Sequence, residues 1–379
     1  MSKDITAYKI GVLGGGQLGR MMVQSAIDFN LDIAIMDRDP NAPCAHMVRE
    51  FVNDKITDAQ AVYNFGKDKD IVTIEIENVS VEGLKRLQSE GIKVFPQPEI
   101  IELIQDKRKQ KTFYKANRIP TAEFFLTENK AEVTRHKDFL PAVNKLGKGG
   151  YDGQGVQILR TKADLEKAFD APGLLEKLVD FDKEISVIVS RNEDGETATF
   201  PVVELSYHPT ANLVEFLFSP AEISREAEEK ARALAVDVMN KLNMVGILAV
   251  EMFLTKEGDV LVNEVAPRTH NSGHHTIEGN VTSQFEQHIR SIVNMPQGST
   301  EILTPAAMVN LLGEEGYTGD AIYEGMKDAL ATPGVHIHLY GKKLTKPFRK
   351  MGHVTITADD LNTLKETAKR IKNTIKVVA

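Results

Sequence analysis

Short apolar runs alternate with helical patterns over the first hundred residues. The runs at 9–13, 31–36, 71–76 and 92–95 have the length and β-branched content of buried strands. Between the first two runs, apolar positions recur at helical spacing: Leu18, Met21, Met22, Ala26 and Phe29. This strand–helix alternation predicts an open, mostly parallel, Rossmann-like sheet over residues 1–105.

The pattern changes after the proline-containing segment 96–99, where we expect one short charged helix over residues 100–118. Strands joined by glycine-rich and charged turns follow from about residue 121. They are interrupted by a helix with one apolar face: Ala227, Ala231, Leu234, Ala235, Val238, Met239 and Leu242. The last segment contains strand patterns at 335–340 and 353–357 and a closing amphipathic helix. The fold class is therefore a combination of α/β and α+β.

These changes of pattern predict three domains. The first covers residues 1–105, and the second covers residues 106–298, with a glycine-rich flap lobe at about 115–180. A small, β-rich C-terminal domain covers residues 299–379. A chain of 379 residues exceeds the size of one ordinary hydrophobic core, which agrees with this division.

Composition narrows the class of protein. Hydrophobic residues make up 42% and charged residues 26%, which argues against a disordered chain. The net charge of −8 disfavours a broad nucleic-acid or anionic-membrane surface. The single cysteine, Cys44, excludes a disulfide framework and any multi-cysteine metal site. With no signal-peptide pattern and no apolar run of about 20 residues, we expect a cytoplasmic protein that binds neither membranes nor nucleic acids.

A glycine loop follows the first predicted strand. Gly14, Gly16 and Gly19 fit the spacing G-x-G-x-x-G, and Asp37 ends the second strand, where a ribose-binding acid is expected. The loop permits three interpretations: a dinucleotide-binding site, a tight strand-to-helix turn, or a helix N-terminus that binds some other anion. The motif alone does not distinguish them.

Two acids lie on a predicted hairpin over residues 246–268. If 256–259 form a four-residue loop, Glu251 faces Glu264 across the strands. Two carboxylates about 5 Å apart repel by roughly 3 kcal/mol at an effective dielectric constant of about 20, so the pattern favours a cation between them. With the amide oxygen of Asn263 they form a hard ligand set suited to Mg²⁺ and phosphate. A five-residue loop is the alternative, and it would set Asn263 opposite Glu251.

A second glycine cluster follows the strand that ends at Lys145. Its glycines between 147 and 155, with Lys148, can fold backbone N–H groups over an anion. Further on, Glu176 and Lys177 end an apolar strand, and Glu184 follows eight residues after Glu176. A strand edge of this kind suits an adenine, and a nearby acid suits ribose hydroxyls.

Several segments together carry a resemblance to a known family. GGYDGQG, LLEK, AVEMF and VNEVAPR occur in the order typical of the ATP-grasp superfamily. GGGQLGRM, RTHNSGHHT and YGK…RKMGH narrow the resemblance to the 5-(carboxyamino)imidazole ribonucleotide synthases, which carboxylate aminoimidazole ribonucleotide with ATP and bicarbonate. The resemblance extends from Gly11 to His353.

The resemblance implies a set of site residues. The residues implied to bind ATP are Lys107, Lys145, Gly150, Tyr151, Asp152, Gly153, Gln154, Gly155, Val156, Glu176, Lys177, Leu178, Val179, Glu184, His208, Asn263 and Glu264. Those implied to bind the ribonucleotide are Gln17, Leu18, Tyr151, Asp152, Arg268, His270, Asn271, Ser272, Lys342, Arg349 and Lys350. Glu251 and Glu264 would bind Mg²⁺, and the implied catalytic residues are Asp152, Lys145 and Arg268. The family also implies a homodimer.

The chain departs from the family pattern at three places. Gln154 stands where a basic residue is common, and His208 has a different spacing from Glu204. Lys107, followed by Arg108, takes the place of an ATP-contacting arginine, and either one fits that role.

The histidines at 270, 274 and 275 also permit a zinc interpretation, which the absence of another soft ligand disfavours.

The sequence is also compatible with other functions. Within the superfamily, a formate-using glycinamide ribonucleotide ligase is the nearest alternative. An NAD-dependent oxidoreductase would use the first glycine loop, and a nucleotide sensor would bind ATP without turnover.

Overall fold

The computed structural model of the chain describes residues 4–150, 155–207 and 213–379. A 3₁₀ turn (Ile5–Ala7) precedes five strands: β1 (Ile10–Leu13), β2 (Ile33–Asp37), β3 (Phe51–Asn53), β4 (Ile71–Ile74) and β5 (Lys93–Val94). They pair in parallel in the order β3–β2–β1–β4–β5. The helices are α1 (Gln17–Asp28), α2 (Ala59–Gly66), α3 (Val81–Ser89) and α4 (Pro98–Ile104). The prediction of an open parallel sheet is confirmed.

The predicted single charged helix over 100–118 is wrong. The chain forms two helices, α4 and then α5 (Lys107–Ala116). Asp106 separates them, because its side chain accepts a hydrogen bond from the Arg108 N–H at 3.0 Å and so caps the start of α5. The break brings Lys107 to the first turn of a new helix.

A four-stranded antiparallel sheet forms the lobe that carries the flap. Its elements are β6 (Phe124–Thr127), α6 (Lys130–Arg135), a 3₁₀ turn (Lys137–Phe139), β7 (Ala142–Leu146), β8 (Val156–Leu159), a 3₁₀ turn (Lys162–Lys167) and β9 (Gly173–Lys177). The strand order is β6–β9–β7–β8. The predicted flap joins β7 to β8. Tyr151, Asp152, Gly153 and Gln154 at its centre lie outside the described residues, as does His208.

The middle of the chain supplies long antiparallel strands and one long helix. They are β10 (Phe181–Arg191), β11 (Thr197–Thr199), β12 (Val203–Tyr207), β13 (Val214–Ser219), α7 (Arg225–Leu242), β14 (Gly246–Thr255) and β15 (Val260–Ala266). Ala231, Ala235, Val238 and Met239 bury the predicted apolar face of α7 against β10 and β14.

The remaining elements alternate short helices and strands. They are a 3₁₀ turn (Asn271–Gly273), α8 (Thr276–Gly279), α9 (Gln284–Ile292), β16 (Ala306–Leu312), β17 (Gly319–Asp320), β18 (Ile322–Glu324), α10 (Met326–Leu330), β19 (Val335–Leu339), β20 (Leu344–Thr345), β21 (Lys350–Thr357), α11 (Leu361–Thr374) and β22 (Lys376–Val378).

One nine-stranded sheet joins the last two parts of the chain. Its order is β15–β14–β10–β12–β13–β16–β21–β19, and β11 pairs with β10. The β-rich C-terminal segment therefore continues the central sheet through β16, which pairs with β13. This continuity carries β21 and its basic residues to the sheet that also contains the predicted metal hairpin. Within the described ranges, none of the helices is both long and apolar enough to cross a bilayer.

Candidate active site

The hairpin of β14 and β15 pairs Glu251 with Glu264, as predicted. The predicted four-residue loop is wrong, because Leu254 pairs with Val260 and leaves five residues in the loop. A β-bulge restores the register: Met252 pairs with Val262, so Asn263 is the extra residue of β15. A bulge of this kind re-aims side chains. It lets Asn263 and Glu264 both contact lysines on the same side of the hairpin.

Three carboxylates on β10, β14 and β15 have shifted pKa values, in part because their negative charges lie close together. Burial and the negative charges of Glu264 and Glu184 raise the pKa of Glu251 above its usual value. Burial, with Glu264 adding to it, raises the pKa of Glu184 to about 7. The Lys107 ammonium holds the pKa of Glu264 below the usual range. The Glu251 side chain is 14% exposed, whereas that of Glu264 is 46% exposed.

Two lysines face the acid pair from other elements. Lys107 Nζ, at the start of α5, lies 2.9 Å from Glu264 Oε2. Lys145 Nζ, on β7, donates to Asn263 Oδ1 at 3.1 Å and lies 2.6 Å from Glu176 Oε2. Arg108 instead pairs with Glu128. This geometry favours Lys107 over Arg108 as the cation that faces a nucleotide phosphate.

The acid pair fits a divalent cation. A buried carboxylate with a raised pKa, such as Glu251, becomes ionised at lower cost when a cation lies beside it. Two carboxylates with the Asn263 oxygen supply hard donors and leave room for phosphate and water on the ion. In the part of the chain that the structure describes, no cluster of three or more His, Cys, Asp or Glu side chains could hold a metal.

The strand predicted to bind adenine is β9 with the residues that follow it. The Glu176 side chain is buried and pairs with Lys111 as well as with Lys145. Lys177 Nζ donates to the Phe139 carbonyl oxygen at 2.9 Å. Leu178 and Val179 are half-buried. Glu176 thus acts here as an anchor for two lysines.

The backbone N–H groups of the first glycine loop bind side-chain carboxylates of the same protein. The Gly16 and Gly19 N–H groups donate to the Glu75 carboxylate at 2.6 and 2.7 Å, and the Gly15 N–H donates to Asp37 Oδ2 at 2.7 Å. A Cβ at Gly16 would lie 2.5 Å from Glu75 Oε1, so this close approach requires glycine. The N–H groups that would bind a dinucleotide pyrophosphate are therefore occupied by Glu75 and Asp37.

We expect a fluorescence titration with NADH to show no saturable binding, because Glu75 fills the anion site of the first glycine loop. The Glu75→Ala variant is the control, since it frees those N–H groups. Saturable binding of NADH to the unaltered protein at micromolar concentration would contradict this interpretation of the loop.

The loop after β15 contains the residues predicted to bind the ribonucleotide. Arg268 Nε lies 2.9 Å from Glu77 Oε1, and His270 Nε2 lies 3.6 Å from Glu251 Oε1. Ser272 Oγ lies 3.0 Å from His270 Nδ1 and 3.0 Å from Ser186 Oγ on β10. Burial, with the charges of Arg268 and Lys350, lowers the pKa of His270 to about 3, so its imidazole is neutral. Asn271 begins the 3₁₀ turn of this loop.

The C-terminal basic residues approach the same loop. Lys342 Nζ donates to Gln17 Oε1 at 3.0 Å and to the Lys350 carbonyl oxygen at 2.7 Å. The Lys350 ammonium acts to lower the pKa of Glu251 and of His270, which places it near the acid pair. Arg349 Nη1 donates to the Leu344 carbonyl oxygen at 2.6 Å. The Leu18 side chain is buried in the core beside α1, unlike that of Gln17.

Sequence patterns missed several residues that support the site. Gln284 on α9 accepts from the His270 N–H at 2.8 Å and donates to the His270 carbonyl oxygen at 2.7 Å. Lys111 is buried against Glu176, and Glu75 anchors the glycine loop. Burial and Glu251 raise the pKa of the nearby Tyr207 phenol. None of these residues belongs to a short motif, and a charged helix with several lysines gives no sign that Lys111 is the buried one.

The fold and the site together define an ATP-grasp enzyme. The ATP-grasp domain model matches residues 112–285, the ribonucleotide synthetase preATP-grasp domain model matches residues 7–105, and the phosphoribosylaminoimidazole carboxylase C-terminal domain model matches residues 306–367. The predicted ATP-grasp fold and ligase class are confirmed.

Relatives identify the family within this class. The chain is 38% identical over 364 residues to the N5-carboxyaminoimidazole ribonucleotide synthase of Bacillus subtilis, covering 94% of this chain and 93% of that protein. The chain belongs to the family of N5-carboxyaminoimidazole ribonucleotide synthases, as its sequence motifs indicated. It spans 65% of the length of the chloroplastic phosphoribosylaminoimidazole carboxylase of Vigna aconitifolia, to which it is 38% identical.

Two solved structures agree with this family. The N5-carboxyaminoimidazole ribonucleotide synthetase of Thermotoga maritima is 44% identical with a TM-score of 0.91, covering 98% of this chain and 99% of that chain. The Aspergillus clavatus enzyme, solved in complex with ADP and 5-aminoimidazole ribonucleotide, is 32% identical with a TM-score of 0.89, covering 98% of this chain and 99% of that chain.

Proposed function

We propose that this chain carboxylates 5-aminoimidazole ribonucleotide with bicarbonate and ATP, giving N5-carboxyaminoimidazole ribonucleotide, ADP and phosphate. The observation that carries the proposal is the contact between two sites. Glu251 of the acid pair lies 3.6 Å from His270 of the loop predicted to bind the ribonucleotide. A phosphorylated intermediate made at the acid pair would therefore form beside the nucleophile that consumes it.

In the proposed order of reaction steps, bicarbonate attacks the terminal phosphorus of ATP and ADP leaves. The amine of the ribonucleotide then attacks the carboxyl carbon of carboxyphosphate, and phosphate leaves.

Positioning and charge neutralisation account for most of the ATP half-reaction. Lys145 and Lys107 supply two cations beside the acid pair, where they would face the triphosphate. Magnesium held by Glu251 and Glu264, with Asn263 beside them, would supply further neutralisation of the phosphate charge when bound. Gly150, Gly155 and Val156 of the flap, with the residues between them, would cover the phosphates. Closure of such a flap excludes water from carboxyphosphate, which is labile in water.

The nucleoside of ATP is proposed to lie along the end of β9. Lys177, Leu178 and Val179 offer backbone groups and half-buried side chains for the adenine, and Glu184 is the proposed ribose ligand. Glu176 would contribute indirectly, because it positions Lys145 at 2.6 Å. His208 remains a proposed contact.

The ribonucleotide is proposed to lie between the loop after β15 and the C-terminal basic residues. Arg268, His270, Asn271 and Ser272 would hold the base and ribose. Gln17, with the adjoining backbone of Leu18, and Lys342, Arg349 and Lys350 would hold the phosphate. Asp152, with Tyr151, is proposed to orient the exocyclic amine or to accept its proton. Arg268 would stabilise charge on the transferred carboxyl group.

The release of ADP tests the function directly. We expect ADP release that requires both bicarbonate and aminoimidazole ribonucleotide and that does not occur when formate replaces bicarbonate. Release with formate would favour the glycinamide ribonucleotide type of ligase instead. ATP binding without any bicarbonate-dependent release would indicate a nucleotide sensor.

The Lys350→Ala variant is expected to raise the KM for the ribonucleotide about tenfold, because it removes one charge-assisted contact with the phosphate. The KM for ATP should change less than about twofold. Lys343→Ala is the matched control, since Lys343 is exposed in the same basic segment. An unchanged KM for the ribonucleotide in Lys350→Ala would contradict the phosphate-binding role.

Three further features are proposals of the same kind. The division into domains at 1–105, 106–298 and 299–379 is supported by the ranges that the three family models match. A homodimer is proposed, which light scattering in solution would test. A cytoplasmic location is proposed from the low cysteine content.

A further inference from the structure

Three imidazole rings, two of them buried and one half-buried, lie against one another beside the proposed ribonucleotide site. His338 and His353 are direct cross-strand partners on β19 and β21, with ring centroids 4.4 Å apart and planes inclined by 8°. The His274 ring also contacts that of His353, with ring centroids 4.7 Å apart and planes inclined by 34°. We call His274, His353 and His338 the histidine stack.

The histidine stack connects three segments that supply proposed ribonucleotide contacts. His274 follows Ser272 by two residues in the loop after β15. His353 follows Lys350 by three residues on β21. His338 precedes Lys342 by four residues. The stack thus joins the loop that would hold base and ribose to the two segments that would hold the phosphate.

Hydrogen bonds fix the stack at several points. Tyr340 Oη lies 3.0 Å from His353 Nδ1, and His338 Nε2 lies 2.7 Å from Glu278 Oε1 on α8. Gln284 Nε2 lies 3.3 Å from His274 Nδ1 and also bonds the backbone of His270. The stack therefore belongs to the same bonded network as the ribonucleotide loop.

The inner rings are uncharged. Burial, with the neighbouring histidines, lowers the pKa of His274 and of His353 well below the usual range. Neutral imidazoles at these distances attract one another as flat aromatic rings, whereas two imidazolium ions would repel. Two neutral rings, those of His274 and His353, are suited to holding the geometry of the segments that carry them.

We propose that His353 is a positioning residue for ribonucleotide binding, because it holds His274 and the loop 270–275 at a fixed distance from Lys342 and Lys350. This proposal rests on the proposed function of the site. As positioning residues, His353 and His338 would not contact the substrate themselves. They act by keeping the two halves of its pocket in register, so their loss affects affinity for the ribonucleotide and leaves the ATP half of the site unchanged.

The His353→Ala variant tests the proposal, because it should change the KM for the ribonucleotide but not the KM for ATP. In assays of ribonucleotide-dependent ADP release, we expect the KM for the ribonucleotide to rise about tenfold and the KM for ATP to change less than about twofold. His353→Phe restores a flat ring and should recover a KM within about threefold of that of the unaltered chain. This rescue distinguishes stacking from a general loss of stability.

His288→Ala is the matched control. His288 is equally buried, and burial likewise lowers its pKa, but it bonds Thr73 on β4 away from the stack. We expect its ribonucleotide KM to stay unchanged. If His353→Ala does not fold, His338→Ala replaces it in the test, because His338 lies at the 21%-exposed end of the stack. Its ribonucleotide KM should rise about threefold.

An unchanged ribonucleotide KM in a folded His353→Ala or His338→Ala protein would overturn the positioning role. An equal rise in the KM values for ATP and ribonucleotide, or an equal effect of His288→Ala, would do the same. Failure of the proposed function would differ, because the unaltered chain itself would then show no ribonucleotide-dependent release of ADP.

Discussion

Glu264→Gln is expected to lower the rate of ADP release at least about 100-fold, the size of effect seen when a charge-stabilising group is removed from an active site. The substitution keeps the shape of the side chain but removes half of the charge of the acid pair. Because Glu264 is 46% exposed, loss of its pair with Lys107 should change the free energy of unfolding by less than about 1 kcal/mol. ADP release and thermal unfolding, measured on the same preparation, give both values.

Glu257→Gln is the control for this prediction. Glu257 is an exposed acid in the loop of the same hairpin, so its variant makes the same chemical change away from the acid pair. We expect it to release ADP at the rate of the unaltered chain. A rate for Glu264→Gln close to that of Glu257→Gln would remove the metal assignment.

Glu176→Ala is expected to lower the free energy of unfolding by about 3–5 kcal/mol, the cost of leaving a buried charge without its partner. The side chains of Lys111 and Glu176 are each only 3% exposed, so Lys111 would lose its counter-ion in a buried environment. Burial already lowers the pKa of Lys111 to about 8. Denaturant unfolding of the two proteins measures the difference.

Lys111→Met provides the comparison, because Glu176 then retains Lys145 at 2.6 Å as its partner. We expect Lys111→Met to cost less stability than Glu176→Ala. Equal costs would contradict the compensation of Glu176 by Lys145. A cost for Glu176→Ala below about 1 kcal/mol would show that the pair is not held in a buried environment. ADP release by Glu176→Ala should also fall, since Lys145 would lose its anchor.

The hairpin shows how a prediction from sequence can give the correct pairing for a wrong reason. The assumption of a four-residue loop led to the correct conclusion that Glu251 faces Glu264. The loop, however, has five residues, and the bulge at Asn263 compensates for the difference. Loop length and bulges depend on local backbone energies that residue types specify weakly. The bulge also explains why Asn263 and Glu264, adjacent in sequence, both contact lysines.

The first glycine loop shows the limit of a motif. Its spacing fits a dinucleotide site, yet Glu75 and Asp37 occupy its N–H groups. Glu75 is distant in sequence from the loop, and an acid after an apolar strand gives no sign that it turns inward. Motif order identified the family, because several specific segments agreed. The buried contacts of Glu75, Lys111 and Gln284 could be identified only from the folded structure.

The position of the C-terminal strands also depends on strand pairing that the sequence pattern does not specify. Its strands and closing helix follow from hydrophobic periodicity, but their attachment to the central sheet through β16 and β13 does not. The histidine stack depends on that attachment, since His353 lies on β21 and His274 lies in the loop after β15. A cross-strand pair such as His338 and His353 becomes visible only when the register is known.

We propose that Glu251 and Glu264 together hold the divalent ion that binds the phosphates of ATP. Its most direct test is the anomalous scattering of Mn²⁺ in crystals grown with a non-hydrolysable ATP analogue. We expect an anomalous peak in contact with both carboxylates and with the phosphate chain. A peak bound to the phosphates while either glutamate points away from it would show that the two acids do not share the ion.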